Sequence, residues 1–190
     1  MSFLTFNELS GYNNFSKSIL SEDHTLGGDA ADNYDIFLSH SSIDTKYFRN
    51  LRNFFSQYGA NAYIDRFDAS LPNRTSAQTA HMLVNKISSY RKFIVLVTEN
   101  SLNSNWVPWE LGFAHGRKEH IDIALLPISE YSTEESWINY EYLGLYNKIV
   151  KRLNPQTNKS QWCLFDVKTQ TYHYLWNWLV KPKKQLVIWE

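Results

Sequence analysis

Lys92-Phe-Ile-Val-Leu-Val-Thr98 is the stretch that decides the fold of this chain. A strand with one wet face alternates apolar and polar residues, whereas a run that is apolar at every position fits a strand covered on both faces, as in a parallel sheet flanked by helices. The neighbouring segments agree. Upstream, Ser76 to Tyr90 has helical spacing, with Met82, Leu83 and Ile87 turned inward. Downstream, the polar loop Glu99 to Asn105 leads into a helix carrying Glu110, with Ser104 or Asn105 as its cap and its exit at Gly116 to Lys118. Ile121-Asp-Ile-Ala-Leu-Leu-Pro-Ile128 then reads as another buried strand.

Further out, Tyr34-Asp-Ile-Phe-Leu38 is a short apolar strand ending abruptly in the polar loop Ser39-His-Ser-Ser-Ile-Asp44. Asp44 suits the N-cap of a helix on which Tyr47, Leu51, Phe54, Phe55 and Tyr58 recur until Gly59 stops it. Ala60 to Asp65 reads as a second strand, followed by the loop Arg66 to Thr75. Strand and helix thus alternate at short intervals, which predicts right-handed βαβ crossovers. The fold expected is α/β and flavodoxin-like, a central parallel sheet of about five strands with helices on both faces. In the tail, Tyr142 to Tyr146 is expected as an edge strand, Gln161 to Asp166 with Lys168 to Tyr172 as a small hairpin, and His173 to Val180 as a short helix. Trp176, Trp178 and Trp189 are expected to tie this tail to the domain. The division is an N-terminal extension over 1–32, with a short helix over Asn7 to Ser21, a domain over 33–180 and a tail over 181–190.

Composition removes several classes of function. A chain of 190 residues favours one main domain, and 19 basic against 19 acidic residues leave no field for a nucleic-acid backbone. Cys163 is the sole cysteine, which excludes an internal disulfide framework and a cysteine-based zinc cluster and fits a reducing compartment. Met1 to Leu20 lacks the features of a signal peptide, and no later run approaches the roughly 18 apolar residues of a membrane span, so a cytoplasmic protein is expected. Neither G-x-G-x-x-G nor G-x-x-x-x-G-K-[ST] occurs. The one local histidine pair, His115 and His120, is not spaced to share a helical face, and no metal is expected.

In a parallel α/β sheet a ligand lies beyond the carboxyl ends of the strands, where strand order reverses. Three loops should meet there: Ser39 to Asp44, Asp65 to Thr75, and the one leading to Trp106 and Glu110. Trp106 lies four residues before Glu110, so a helix puts an indole and a carboxyl on one face. The competing reading makes Trp106 and Trp109 core aromatics and Glu110 a solvated helix acid. Ser39, His40 and Ser41 invite a Ser/His nucleophile reading, which is disfavoured because adjacent residues rarely point at one another and no orienting acid is specified. They suit either the reception of phosphate or ribose oxygens or a capping turn with no ligand.

The combination Tyr34-Asp-Ile-Phe-Leu-Ser-His-Ser-Ser-Ile-Asp44, Tyr63-Ile-Asp65 and Ser104-Asn-Trp-Val-Pro-Trp-Glu-Leu111 resembles a bacterial TIR (Toll/interleukin-1 receptor) domain over roughly residues 33–130. Phe67-Asp-Ala-Ser-Leu71 makes it look most like the TIR proteins of Thoeris anti-phage systems. The resemblance implies cleavage of the nicotinamide–ribose bond of NAD⁺, with Glu110 catalytic. Trp106 would stack on a base or on nicotinamide, and Ser39, His40, Ser41, Asp65 and Phe67 would line the pocket. NAD⁺ would be the substrate, with no cofactor and no metal. The product implied is a cyclic ADP-ribose isomer, or an ADP-ribose conjugate, that activates a separate effector after phage infection. Self-association through TIR–TIR contacts, answering a phage-derived trigger, is implied as well, and neither nucleic acid nor membrane is involved. Two alternatives stand beside this: a non-catalytic TIR interaction module, and an NADase that kills by depleting NAD⁺. One departure from the family pattern is that Phe67 to Thr75 holds Pro72 and no glycine, where many bacterial members carry one.

Overall fold

The computed structural model describes residues 1–14, 35–68, 76–131, 140–154, 157–180 and 186. Its elements, in chain order, are β1 (Leu4–Thr5), α1 (Phe6–Ser10), β2 (Ile36–Ser39), α2 (Phe48–Ser56), β3 (Ala62–Tyr63), α3 (Ala77–Ser89), β4 (Lys92–Val97), α4 (Glu99–Leu102), α5 (Trp106–Arg117), β5 (Ile123–Ser129), β6 (Asn147–Leu153), β7 (Ser160–Asp166), β8 (Thr171–Tyr174) and α6 (Leu175–Val180). They build one sheet in the order β3-β2-β4-β5-β6-β7-β8. From β3 to β6 all neighbours are parallel, which gives the five-stranded parallel centre expected; β7 and β8 continue it antiparallel.

The unbroken apolar run of β4 has its physical reason in two cores. Ile94 and Leu96 face one layer with Leu51, Phe54, Phe55 and Trp178, while Phe93, Val95 and Val97 face the other with Leu83, Ile87, Val107 and Leu111. Period-two geometry sends alternate side chains to opposite faces, so a strand in the middle must be apolar throughout. The exception is Lys92, fully buried, whose ammonium lies 2.5 Å from Asp122 and 4.8 Å from the centroid of the Trp178 ring. Burial holds its pKa below the usual lysine value although Asp122 opposes this. Trp178 donates its indole N–H to the Ile121 carbonyl at 2.7 Å, so α6 is tied to the turn that enters β5, as expected of this tryptophan. Trp176 is half-exposed, and Trp189 lies outside the described residues.

Several elements differ from the sequence reading. Asp44 does not cap a helix: Ser41 caps the 3-10 helix Ser42–Tyr47 by accepting from the Ile43 N–H, and Asp44 is buried, accepting from Thr98 Oγ1 and Asn100 Nδ2, each at 2.7 Å. Tyr142 to Tyr146 is not an edge strand but mostly 3-10 helix, Glu141–Leu145. The strand lies just beyond, in β6, and the expected hairpin joins the main sheet through it. Met82 is only half-buried. The helix expected over Asn7 to Ser21 is shorter, Phe6–Ser10 followed by the 3-10 turn Gly11–Asn14, with 15–21 outside the described residues.

The first fourteen residues also pack onto the domain. β1 pairs in parallel with the carboxyl end of β5, Leu4 opposite Ile128, and Ser2 exchanges two backbone hydrogen bonds with Lys151 of β6. Leu4 and Leu9 are fully buried, Phe6 stacks on Tyr47 at 4.7 Å, and Asn50 and Asn53 of α2 donate to the carbonyls of Leu9 and Tyr12. Among the described residues no helix is long and apolar enough to cross a membrane.

Candidate active site

In the order β3-β2-β4 the chain steps from β2 to one side and then crosses to the other, so the loops leaving β2 and β4 part and open a crevice at the carboxyl ends of these parallel strands. Ser39 ends β2, two residues after Phe37, and so points to the same face, toward α5. There its hydroxyl donates to Glu110 Oε2 at 2.5 Å.

Glu110 comes from α5, whose buried face is Val107, Glu110, Leu111 and Ala114, the i, i+3, i+4, i+7 spacing of a core-facing stripe. One position of that stripe is an acid, and it is 4% exposed. Burial pushes its pKa up to about 8; Asp65 adds to the rise, while the Ser39 hydrogen bond and the charge of His40 oppose it. The solvated-acid reading is therefore excluded. The helix starts where the sequence indicates: Ser104 Oγ, rather than the Asn105 side chain, accepts from the N–H groups of Trp106 and Val107. Pro108 falls within the first turn, where its missing N–H costs no intrahelical bond.

His40, one residue past Ser39, points to the opposite face and meets Phe48 of α2 edge-on at 4.2 Å between ring centroids. Its Nδ1 lies 2.8 Å from the Leu38 carbonyl and its Nε2 lies 3.0 Å from Asp65 Oδ1, in the turn after β3. Burial of this side chain opposes protonation, but the hydrogen bond and charge of Asp65, the Leu38 carbonyl and Glu110 outweigh it and hold the imidazole above its ordinary pKa. Phe67 follows, 56% exposed at the rim, edge-on to Phe48 at 6.1 Å and with the Arg52 guanidinium 5.7 Å from its ring centroid.

Of the residues singled out in the sequence, Ser39, His40, Asp65 and Glu110 come together, and Phe67 joins them through Phe48. Ser41 spends its hydroxyl on the 3-10 cap. Trp106, half-buried and packed on the second core, meets Trp109 edge-on at 5.2 Å one turn before Glu110. Pro72 and the rest of 69–75 lie outside the described residues. The sequence reading took Asp44 for a helix cap and missed Thr98 and Asn100, whose hydrogen bonds to it lock the first loop to the start of α4; polar side chains opening adjacent loops were the only available signal. Among the described residues no group of three or more His, Cys, Asp or Glu is placed to hold a metal ion.

Residues 36–154 match the TIR domain family model, and the chain belongs to that family. Among individual proteins, it is 34% identical over 167 residues to one from Bacillus cereus (strain MSX-D12) named as a probable 3' cyclic ADP-D-ribose synthase, ThsB', covering 80% of this chain and 84% of that one. A protein of Cytobacillus dafuensis named for cyclic ADP-D-ribose synthesis, TIR2, is 30% identical over 84 residues, 43% of this chain and 22% of its own length. The crystal structure of the TIR domain of the Toll-related receptor TRR-2 from Hydra magnipapillata aligns at a TM-score of 0.40 and 16% identity, over 56% of this chain and 79% of that chain.

Proposed function

We propose that this chain is an NAD⁺ glycohydrolase of the cyclase type, making a cyclic ADP-ribose-class messenger for a separate effector in anti-phage defence. The observation that carries the reading is Glu110, a carboxyl on the core-facing stripe of α5 held by Ser39 at the carboxyl ends of the strands. The names carried by the two cyclic ADP-D-ribose synthases support it.

The chemistry needs one carboxylate. Nicotinamide in NAD⁺ is a cationic ring; when its bond to ribose C1′ breaks, the electron pair returns to the ring nitrogen and a neutral molecule leaves without protonation. The positive charge moves to the sugar as an oxocarbenium-like centre, which a neighbouring carboxylate stabilises. Ser39 holds Oε2 and so orients the carboxyl. An adenine nitrogen or a ribose hydroxyl then bonds to C1′, the hydroxyl losing its proton, and gives a cyclic product; water gives ADP-ribose. Trp106 supplies a flat surface for a ring, Phe67 a rim, and a drier pocket favours cyclisation. NAD⁺ enters as substrate, and the reaction as written uses no cofactor or metal. TIR–TIR self-association in the cytoplasm, answering an infection cue, completes the reading.

Glu110→Gln is expected to lower nicotinamide release by at least about a hundredfold. Mass spectrometry of small molecules from phage-infected cells expressing either form reads nicotinamide, ADP-ribose and cyclic products together. Equal products from both forms would remove Glu110 from the chemistry.

A further inference from the structure

The two tryptophans at the start of α5 form a corner that cleavage of the nicotinamide bond alone does not require. At about 3.6 residues per turn, Glu110 lies about 40° to one side of Trp106 around the helix and Trp109 about 60° to the other. Passing outward from the core, the helix thus presents an acid at 4% exposure, a half-buried indole, and a second indole at 40% exposure. The two indole planes stand at 84° with their centroids 5.2 Å apart. Phe113 backs Trp109 from the next turn, nearly parallel to it at 6.2 Å, and the Arg117 guanidinium lies 6.0 Å from the Phe113 ring. Both of these ring contacts of Trp109 are with residues of α5 itself, so they tie no second element to the helix. They hold the indole in place and leave much of its surface to solvent.

We propose that Trp109 is a specificity-determining residue: it receives the adenine of a folded dinucleotide whose nicotinamide lies on Trp106 beside Glu110, and so favours cyclisation over hydrolysis. A cationic ring suits the indole that neighbours a carboxyl, and a neutral purine suits the outer one. Because the two surfaces lie 5.2 Å apart, one dinucleotide reaches both only by folding back on itself. In that shape, groups of the adenosine half lie close to ribose C1′. The electron pair of the C1′–nitrogen bond leaves with nicotinamide. An adenosine nitrogen or hydroxyl oxygen then donates a pair to C1′, the hydroxyl releasing its proton, and the ring closes before water adds. An extended dinucleotide leaves C1′ to water and gives ADP-ribose. This role rests on the reading of the chain as an NAD⁺-cleaving enzyme with Trp106 against one ring.

The test uses the full chain with carba-NAD⁺, in which a methylene replaces the ring oxygen of the nicotinamide ribose, so that no oxocarbenium centre forms and nothing turns over. Transferred NOEs between nicotinamide and adenine protons report a folded bound molecule. They are expected with the wild type and with Trp109→Phe, which keeps a ring. In Trp109→Leu, which keeps an apolar side chain without one, they should fall at least about fivefold at equal occupancy. Equal NOEs in Trp109→Leu, or a dinucleotide bound to the wild type without them, overturn the proposal and leave the NAD⁺ reading standing. Absence of binding to the wild type overturns both. With NAD⁺ itself, the ratio of cyclic product to ADP-ribose, read by chromatography, is expected to drop on the order of tenfold in Trp109→Leu and to recover in Trp109→Phe. An unchanged ratio in Trp109→Leu overturns the proposal equally.

Discussion

Glu110→Gln should make the protein more stable, by an amount that depends on pH. Burial raises the folded-state pKa of Glu110 to about 8, against an ordinary value of 4.5. Between these values the folded chain keeps a proton that the unfolded chain releases, so a stability contribution fully present below pH 4.5 is lost as pH rises toward about 8. The slope is about 1.4 kcal/mol per pH unit, or on the order of 3 kcal/mol between pH 5.5 and 7.5. Glutamine does not titrate, and its carbonyl can still accept from Ser39, so the variant lacks this slope. Denaturant melts at pH 5.5, 6.5 and 7.5 should show the variant gaining steadily on the wild type. In thermal melts the gap should widen by roughly 5 to 10 °C across that range for a chain of this size. Parallel pH profiles would refute the reasoning, since they would mean that Glu110 ionises in the folded protein as easily as in the unfolded one.

Leu9→Ala, at a fully buried position gripped through its carbonyl by Asn50, is expected to cost about 2 to 5 kcal/mol in a denaturant melt; a loss under about 1 kcal/mol would show that the first fourteen residues do not belong to the core. Trp106→Ala should shift products from cyclic ADP-ribose toward linear ADP-ribose by chromatography, and an unchanged ratio would make the indole, which already packs on Trp109, purely structural.

The legible parts of the fold were those whose signal is local. β4 and β5 announce themselves by unbroken apolar runs, and α3 by spacing and its Ser76 cap. β6 escaped notice because Lys148, Lys151 and Arg152 break its apolar pattern, while the aromatic Tyr142 to Tyr146 drew attention to its neighbour. The burial of Asp44 follows from partners more than fifty residues away, and no local rule distinguishes it from a helix cap. At the site, Ser39, His40 and Ser41 read as one loop, whereas strand parity after Phe37 sends Ser39 and His40 to opposite faces. Which acid each would meet depended on how α5 and the turn after β3 lie across the sheet. Glu110 could be picked out by its pattern with Trp106, whereas the ion pair of His40 with Asp65 required the fold.

The attachment of the first residues to β5 and β6 has a consequence for how the chain is made. Ser2 and Lys151 are 149 residues apart, and Glu8 reaches the same lysine across 143. At roughly 5 to 20 residues per second, a ribosome needs on the order of ten to thirty seconds between the two. Until β5 has been made, Leu4 has no strand to pair with, and a nascent chain carries it as an exposed apolar residue. Contacts so distant in sequence close late, so the parallel centre can assemble before its last strand is seated. The carboxyl end of β5 is thus among the last edges of the sheet to be covered, and a chaperone that holds the first residues during synthesis would delay completion of that edge above all.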